Sequence, residues 1–138
     1  MLEMRPKFEP KNRYSDILPF KHSRVHLVPR QSISGGDDEV NAYINANFVD
    51  GPLGVNDRKI IGSQGPKSNT YSDFWRMVSQ ENVTLIVTTC NVVENGRSKC
   101  HEFWPNDMQE GNKLWNHNAI LTELDKVGIS VVSAGQTV

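Results

Sequence analysis

The chain has 138 residues, 37% of them hydrophobic and 22% charged, with 15 Lys and Arg against 16 Asp and Glu. That length fits one domain or a piece of one, and the apolar share argues against wholesale disorder. A net charge of -1 offers no general attraction for nucleic acid or anionic lipid, so neither is an expected partner.

The most apolar stretch, Asn82 to Asn91, falls far short of the ~20 apolar residues that a membrane span needs, so none is expected. The start, Met1 to Arg13, carries charges where a signal peptide has its apolar stretch. Cys90 and Cys100 have neither a CxxC pattern nor a His/Cys ligand spacing, which points away from a disulfide scaffold and from a metal site. A reducing, cytoplasmic location is expected, and the sequon Asn82-Val83-Thr84 then reads as incidental.

In chain order, Arg24 to Val28 alternates, with Val25 and Leu27 on one face, as a half-buried strand does. Pro29 to Asn41 is polar and Gly-containing and reads as an exposed, mobile loop. Ala42 to Phe48 alternates again. Ile44, Ala46 and Phe48 share one face, while Tyr43, Asn45 and Asn47 form a polar face that needs hydrogen-bond partners if buried. Asp50 to Arg58 reads as a turn or hairpin connection, and Lys59 to Ser63 as a short strand.

Thr70 to Gln80 is the clearest helix, with Tyr71, Phe74, Trp75 and Val78 at i, i+3, i+4 and i+7. Thr70 and Asp73 have the spacing of a capping box at its start. Val83 to Thr89 is β-branched and apolar without alternation, the pattern of a strand buried on both faces of a parallel or mixed sheet. Ala119 to Leu124 and Ile129 to Ser133 are further strand candidates. One helix cannot cover both faces of such a sheet, so the pattern predicts an incomplete part of a larger α/β domain. An exposed edge beside Val83 to Thr89 would make the isolated chain prone to aggregation or self-association.

Five collinear segments now carry a resemblance. Lys11 to Leu27 (KNRYSDILPFKHSRVHL), Tyr43 to Asn47 (YINAN), Ile61 to Arg76 (IGSQGPKSNTYSDFWR), Leu85 to Thr89 and Glu94 to Pro105 (ENGRSKCHEFWP) together resemble the N-terminal half of a protein tyrosine phosphatase catalytic domain. The resemblance covers about residues 8–107 and leaves the tail, 108–138, unassigned. It implies an α/β fold with a highly twisted mixed sheet flanked by helices, phosphotyrosine-containing proteins or peptides as partners, and a cysteine-thiolate hydrolase that uses no cofactor and no metal.

Carried over residue by residue, the resemblance makes Tyr14 the aromatic wall of the phosphotyrosine slot. Asp16 becomes the carboxylate that accepts the substrate's backbone N–H groups. Both roles make physical sense, since a phosphotyrosine presents a ring bearing a dianion, and a carboxylate accepting backbone donors is a charge-assisted contact. Glu94 and Lys99 match residues that support the active site from behind; an ordinary ion pair at a hairpin tip is the simpler reading of the same two residues. Cys100 resembles a buried cysteine that is not the nucleophile. Arg24, Asn45, Gln64, Trp75 and Trp104 match scaffold positions, and His22, His26, His101 and His117 share no spacing that suggests a metal or a base.

The chemistry of the family also needs a nucleophilic cysteine on an HCxxGxxR-type loop and a general acid on a WPD loop. Neither motif occurs in the 138 residues: Trp104-Pro105 is followed by Asn106, and Val131 to Gly135 has no cysteine before Ser133. No catalytic residue is therefore assigned, and the chain alone is expected to be inactive. The alternatives are a catalytically dead phosphotyrosine-binding or interaction module, and a truncated reading frame without a function of its own.

Overall fold

The computed structural model describes residues 6–28, 36–50 and 60–103, together with the backbone of 130–133. Its elements are a 3-10 turn (Pro6–Lys11), β1 (Arg24–His26), α1 (Asp38–Asn41), β2 (Tyr43–Val49), β3 (Ile60–Ser63), α2 (Tyr71–Gln80), β4 (Leu85–Thr88), β5 (Val93–Glu94), β6 (Arg97–Ser98) and β7 (Ser130–Ser133). Helices and both kinds of ladder are present, so the architecture is α/β. β1, β2 and β3 form an antiparallel sheet in that order, β4 pairs with β7 in parallel, and β5 and β6 form a hairpin.

The alternation read in β1 and β2 decides which side chains meet. Val25 and Leu27 are buried, and Ile44 and Ala46 join them against Phe74, Trp75, Met77 and Val78 of α2 and Ile86 of β4. Phe103 completes this core: its ring lies 4.6 Å from that of Phe74, and the Trp75 indole N–H donates to its carbonyl at 3.1 Å. The polar face of β2 is buried too, since Tyr43 and Asn45 are as enclosed as Ile44. β2 is thus covered on both sides, by the core on one and by residues 8–20 on the other.

The start of α2 corrects the capping box. Thr70 is the N-cap but makes no side-chain bond to the helix. Its hydroxyl accepts from the Lys67 N–H at 2.9 Å, while the Asp73 carboxylate is drawn away by Lys11 at 3.0 Å and Arg76 at 3.2 Å. Two full charges outcompete a neutral amide for that carboxylate. The helix ends where Asn82 turns left-handed (φ 51°) and the Val83 N–H bonds back to the Val78 carbonyl at 3.0 Å, a closure that asparagine tolerates better than most residues.

Two further expectations change. Part of the stretch read as a loop is α1, a single helical turn whose first N–H groups, of Glu39 and Val40, are accepted by the Asp37 carboxylate; residues 29–35 lie outside the described residues. β4 is not buried on both faces. Ile86 and Thr88 are enclosed, whereas Leu85 and Val87 are 54% and 56% exposed. The parallel neighbour is there in β7, but among the described residues β4 has no strand on its other edge and no layer over Leu85 and Val87. The strand candidate 119–124, Trp104, His117 and most of the 50–58 turn also lie outside the described residues. Among those described, no helix is long and apolar enough to cross a membrane.

Candidate functional site

The site grows from the buried polar face of β2. Phe8 stacks on Tyr43 with centroids 4.3 Å apart, and the Tyr43 hydroxyl donates to Asn12 Oδ1 at 2.6 Å. Asn45 Nδ2 donates to the same oxygen at 3.0 Å and to the Ile17 carbonyl at 2.8 Å. Asn47 exchanges bonds with the Phe20 backbone, accepting from its N–H at 3.1 Å and donating to its carbonyl at 2.9 Å. The partners that the polar face required are therefore supplied by the loop 12–20, which is bound to the sheet at both ends, and by the Ser23 hydroxyl, which accepts from Asn47 at 2.9 Å.

A second set of bonds fixes the loop from the side of α2. Gln64 accepts from the Arg13 N–H at 2.9 Å and donates to the Lys11 carbonyl at 2.7 Å. The Arg13 guanidinium reaches the carbonyls of Pro66 at 2.8 Å, Gly65 at 3.2 Å and Ser98 at 2.9 Å. Lys67 donates to the carbonyls of Pro10 and Asn12 at 2.6 and 3.0 Å, and Lys11 to those of Val40 and Tyr43 at 2.6 and 3.2 Å. Gly65 lets the segments close: a Cβ there would lie 2.6 Å from the Lys99 carbonyl oxygen and 3.1 Å from Cys100 Cβ.

Between these anchors Tyr14, 40% exposed, and Asp16 stand at the surface. Lys99 Nζ donates to the Tyr14 hydroxyl at 2.8 Å, across 85 residues of sequence, and lies 5.4 Å from the ring centroid. The first and last motifs thus meet at one point. Glu94 does not pair with Lys99; its carboxylate accepts from the Asn91 N–H at 3.1 Å within the hairpin. Asn95 and Gly96 turn that hairpin with φ of 51° and 72°, the left-handed pair that an Asn-Gly turn provides. Asp16 is exposed, and no side chain among the described residues holds its carboxylate.

Cys100 is buried, and desolvation, reinforced by Cys90, pushes its thiol up to about 11 although the charge of Arg13 pulls the other way. A thiol so raised is almost wholly protonated at neutral pH and is no nucleophile. Burial, and the positive charge of Arg24 whose Nη2 lies 3.2 Å from His26 Nδ1, lower the His26 pKa. Among the described residues no group of three or more His, Cys, Asp or Glu could hold a metal ion.

The protein-tyrosine phosphatase family profile matches residues 8–129 of the sequence, running past residue 107, where the resemblance described above ends. The chain belongs to the protein tyrosine phosphatase family. It is 47% identical to human tyrosine-protein phosphatase non-receptor type 12 over 95 residues, 69% of this chain and 11% of that protein. It is 39% identical to human receptor-type tyrosine-protein phosphatase alpha over 121 residues, 88% of this chain and 14% of that protein. A third relative, Drosophila melanogaster tyrosine-protein phosphatase 99A, is 44% identical over 102 residues, 74% of this chain and 7% of the relative. The phosphatase chain therefore spans no more than about a seventh of the length of these relatives.

Arg13, Asn12, Lys67 and Gly65 were not singled out by the sequence reading. Arg13 acts through backbone carbonyls, and Asn12 through the Tyr43 hydroxyl and the Asn45 side-chain amide, all more than 30 residues away, and no local spacing announces such contacts. A signal did exist for the hairpin, in Asn95-Gly96 between short polar and β-branched runs.

Proposed function

We propose that this phosphatase chain is the phosphotyrosine-recognition half of a protein tyrosine phosphatase domain and is inactive by itself. Tyr14 is the wall of the slot, Asp16 the acceptor for substrate backbone N–H groups, and Lys99 and Glu94 support the site from the hairpin. The observation that carries this reading is the Tyr14–Lys99 bond of 2.8 Å, which unites the outermost motifs at one surface point. The anchoring of the 12–20 loop by Asn45, Asn47 and Arg13 supports it, because a recognition slot needs its wall held before ligand arrives.

Phosphate-ester cleavage by the thiolate route needs a nucleophile and a proton donor for the leaving phenolate. Cys100 supplies neither role, and these 138 residues contain no HCxxGxxR or WPD motif. Hydrolysis accordingly belongs to the complete domain, acting on phosphotyrosine proteins in the cytoplasm. The likeness to a non-receptor phosphatase supports that location. The uncovered Leu85 and Val87 support self-association of the isolated chain.

The test is a chimera in which residues 8–103 replace the matching segment of the human non-receptor type 12 catalytic domain. The chimera hydrolyses a phosphotyrosine peptide, and Asp16→Ala lowers its kcat/KM by about 10- to 100-fold, the worth of one or two charge-assisted hydrogen bonds. A folded chimera indifferent to Asp16→Ala refutes the assignment. Submicromolar, phosphate-dependent binding by the unfused chain would instead establish a catalytically dead binding module, a reading favoured only by the fact that Tyr14 and Asp16 are already displayed.

A further inference from the structure

The hairpin of β5 and β6 turns on Asn95-Gly96, the one Asn-Gly step in the sequence. Asn95, Gly96, Arg97 and Ser98 are all exposed. Both turn residues are left-handed, with φ of 51° and 72°, and a Cβ placed on Gly96 would meet nothing within 4 Å. The ladder that closes the turn has two pairs, Val93 with Ser98 and Glu94 with Arg97. A two-stranded ribbon this short is marginal in water, so the turn opens locally while the core stays folded.

Asn82 shows what protects an asparagine with the same backbone angle. Its φ is also 51°, and it too is exposed. The nitrogen after it belongs to Val83, is crowded by a β-branched side chain and donates to the Val78 carbonyl at 3.0 Å. The nitrogen after Asn95 belongs to a glycine, which has no Cβ to crowd it. An asparagine side-chain carbonyl carbon and the next backbone nitrogen are the two atoms that close a five-membered imide. Glycine leaves that approach open once the turn has loosened.

We propose that Asn95-Gly96 is a self-modification site, which deamidates to isoaspartate and thereby frees Lys99 from Tyr14. The Gly96 nitrogen attacks Asn95 Cγ; the new nitrogen–carbon bond forms, the bond from Cγ to the side-chain amide nitrogen breaks, and ammonia leaves carrying the Gly96 proton. The cyclic imide then takes up one water. Opening of the ring at Cγ gives aspartate. Opening at the main-chain carbonyl gives isoaspartate, whose backbone runs through the side chain and is one methylene longer. One water enters, one ammonia leaves, and no cofactor or oxidant is used. A two-residue turn sets the register of its hairpin, and an extra backbone atom does not fit it. The new carboxylate also stands beside Glu94, a like charge. Lys99 depends on that register: its N–H donates to the Val92 carbonyl at 2.8 Å and its ammonium to the Tyr14 hydroxyl at 2.8 Å. Loss of register withdraws the lysine from Tyr14. The consequence for recognition, though not the chemistry, rests on the reading of Tyr14 as the wall of the slot.

The experiment incubates the folded 138-residue chain at pH 8 and 37 °C, follows each asparagine by peptide mass, and compares acylation of Lys99 by acetic anhydride with that of the exposed Lys21. The Asn95 peptide should gain one mass unit and split into two chromatographic forms, one of them a substrate for protein isoaspartyl methyltransferase. The Asn82 peptide should keep its mass, and Trp75 fluorescence should be retained. The mass gain separates the reaction from isomerisation at Asp50-Gly51, which leaves mass unchanged. Lys99 acylation should rise severalfold in the isoaspartate form. Asn95→Gly, whose Gly-Gly turn keeps the left-handed pair and has no amide to lose, should hold Lys99 at its starting reactivity throughout. An Asn95 peptide of unchanged mass after the free peptide of residues 94–98 has fully converted overturns the proposal, as does full conversion that leaves Lys99 reactivity where it was. Failure of the recognition reading shows separately, as a folded chimera indifferent to Asp16→Ala, and leaves the mass and acylation results untouched.

Discussion

Arg13 ties three chain segments together, and its removal has a calculable cost. Its guanidinium donates to Pro66 O at 2.8 Å, Gly65 O at 3.2 Å and Ser98 O at 2.9 Å. A hydrogen bond involving a charged donor contributes about 1.5–3 kcal/mol when half-buried, and less at the surface. The Ser98 bond is exposed and contributes about 0.3 kcal/mol. The Pro66 and Gly65 bonds are half-buried and share one guanidinium edge, so together they stand for about 2–3 kcal/mol rather than twice the single value. Arg13→Met, which keeps the aliphatic stem, should therefore cost about 2–3 kcal/mol. Urea unfolding followed by fluorescence of the buried Trp75 reads this as a lower midpoint at unchanged slope. Tyr14→Ala, at an exposed position, serves as the control and should cost less than about 1 kcal/mol. If Arg13→Met falls within about 0.5 kcal/mol of the parent, the three carbonyls are satisfied by water and the clamp is not a structural one.

Three further outcomes follow from the same contacts. The Cys100 thiol rises from its ordinary 9.0 to about 11 on folding, so the unfolded chain loses this proton first and stability should fall as pH rises from 9 to 11, by about 2–3 kcal/mol from this group. Cys100→Ala should make the slope shallower in chemical unfolding measured across that range, leaving the part due to the raised Tyr43 and Tyr71. Asp73→Asn leaves Lys11 and Arg76, both about 15% exposed, without their shared carboxylate, and should cost about 2–3 kcal/mol in the same urea assay. Tyr43→Phe removes one donor from Asn12 Oδ1 but leaves that of Asn45 at 3.0 Å, so its cost should stay near 1 kcal/mol, while calorimetry of Phe8→Ala, which strips the stacked ring, should show about 3 kcal/mol.

Elements whose side chains alternate in type were legible in the sequence, because the alternation is itself the physical cause of the strand's two faces. β1 and β2 came out this way, and α2 did so from its apolar stripe. β4 could not be read to the same depth. Leu85, Ile86 and Val87 are alike in type, and which of them is covered depends on layers that the segment does not encode. The capping box failed for a similar reason: Thr70 and Asp73 have the right spacing, but Lys11 approaches from 62 residues away and takes the carboxylate. At the site, Tyr14 and Lys99 were found through family resemblance and the structure brings them into contact, whereas the hairpin-tip ion pair that was the simpler reading of Glu94 and Lys99 does not form. The anchors Arg13 and Lys67 bond to backbone atoms, which leave no mark in a sequence, and Asn12 bonds to side chains of Tyr43 and Asn45 more than 30 residues away.

The loop from Asn12 to Phe20 has almost no apolar floor of its own; it hangs from β2 and from the start of α2 by amides, a guanidinium and an ammonium. Polar attachment of this kind is broken one bond at a time, while the core beneath is broken all at once. Amide hydrogen exchange should therefore find the Tyr14–Asp16 arch opening at a free energy well below that of global unfolding, with its two feet, Asn12 and Phe20, protected longer than its crown. Such an arch can come away while the core beneath stays folded, so the lifetime of anything bound to it is set by the feet.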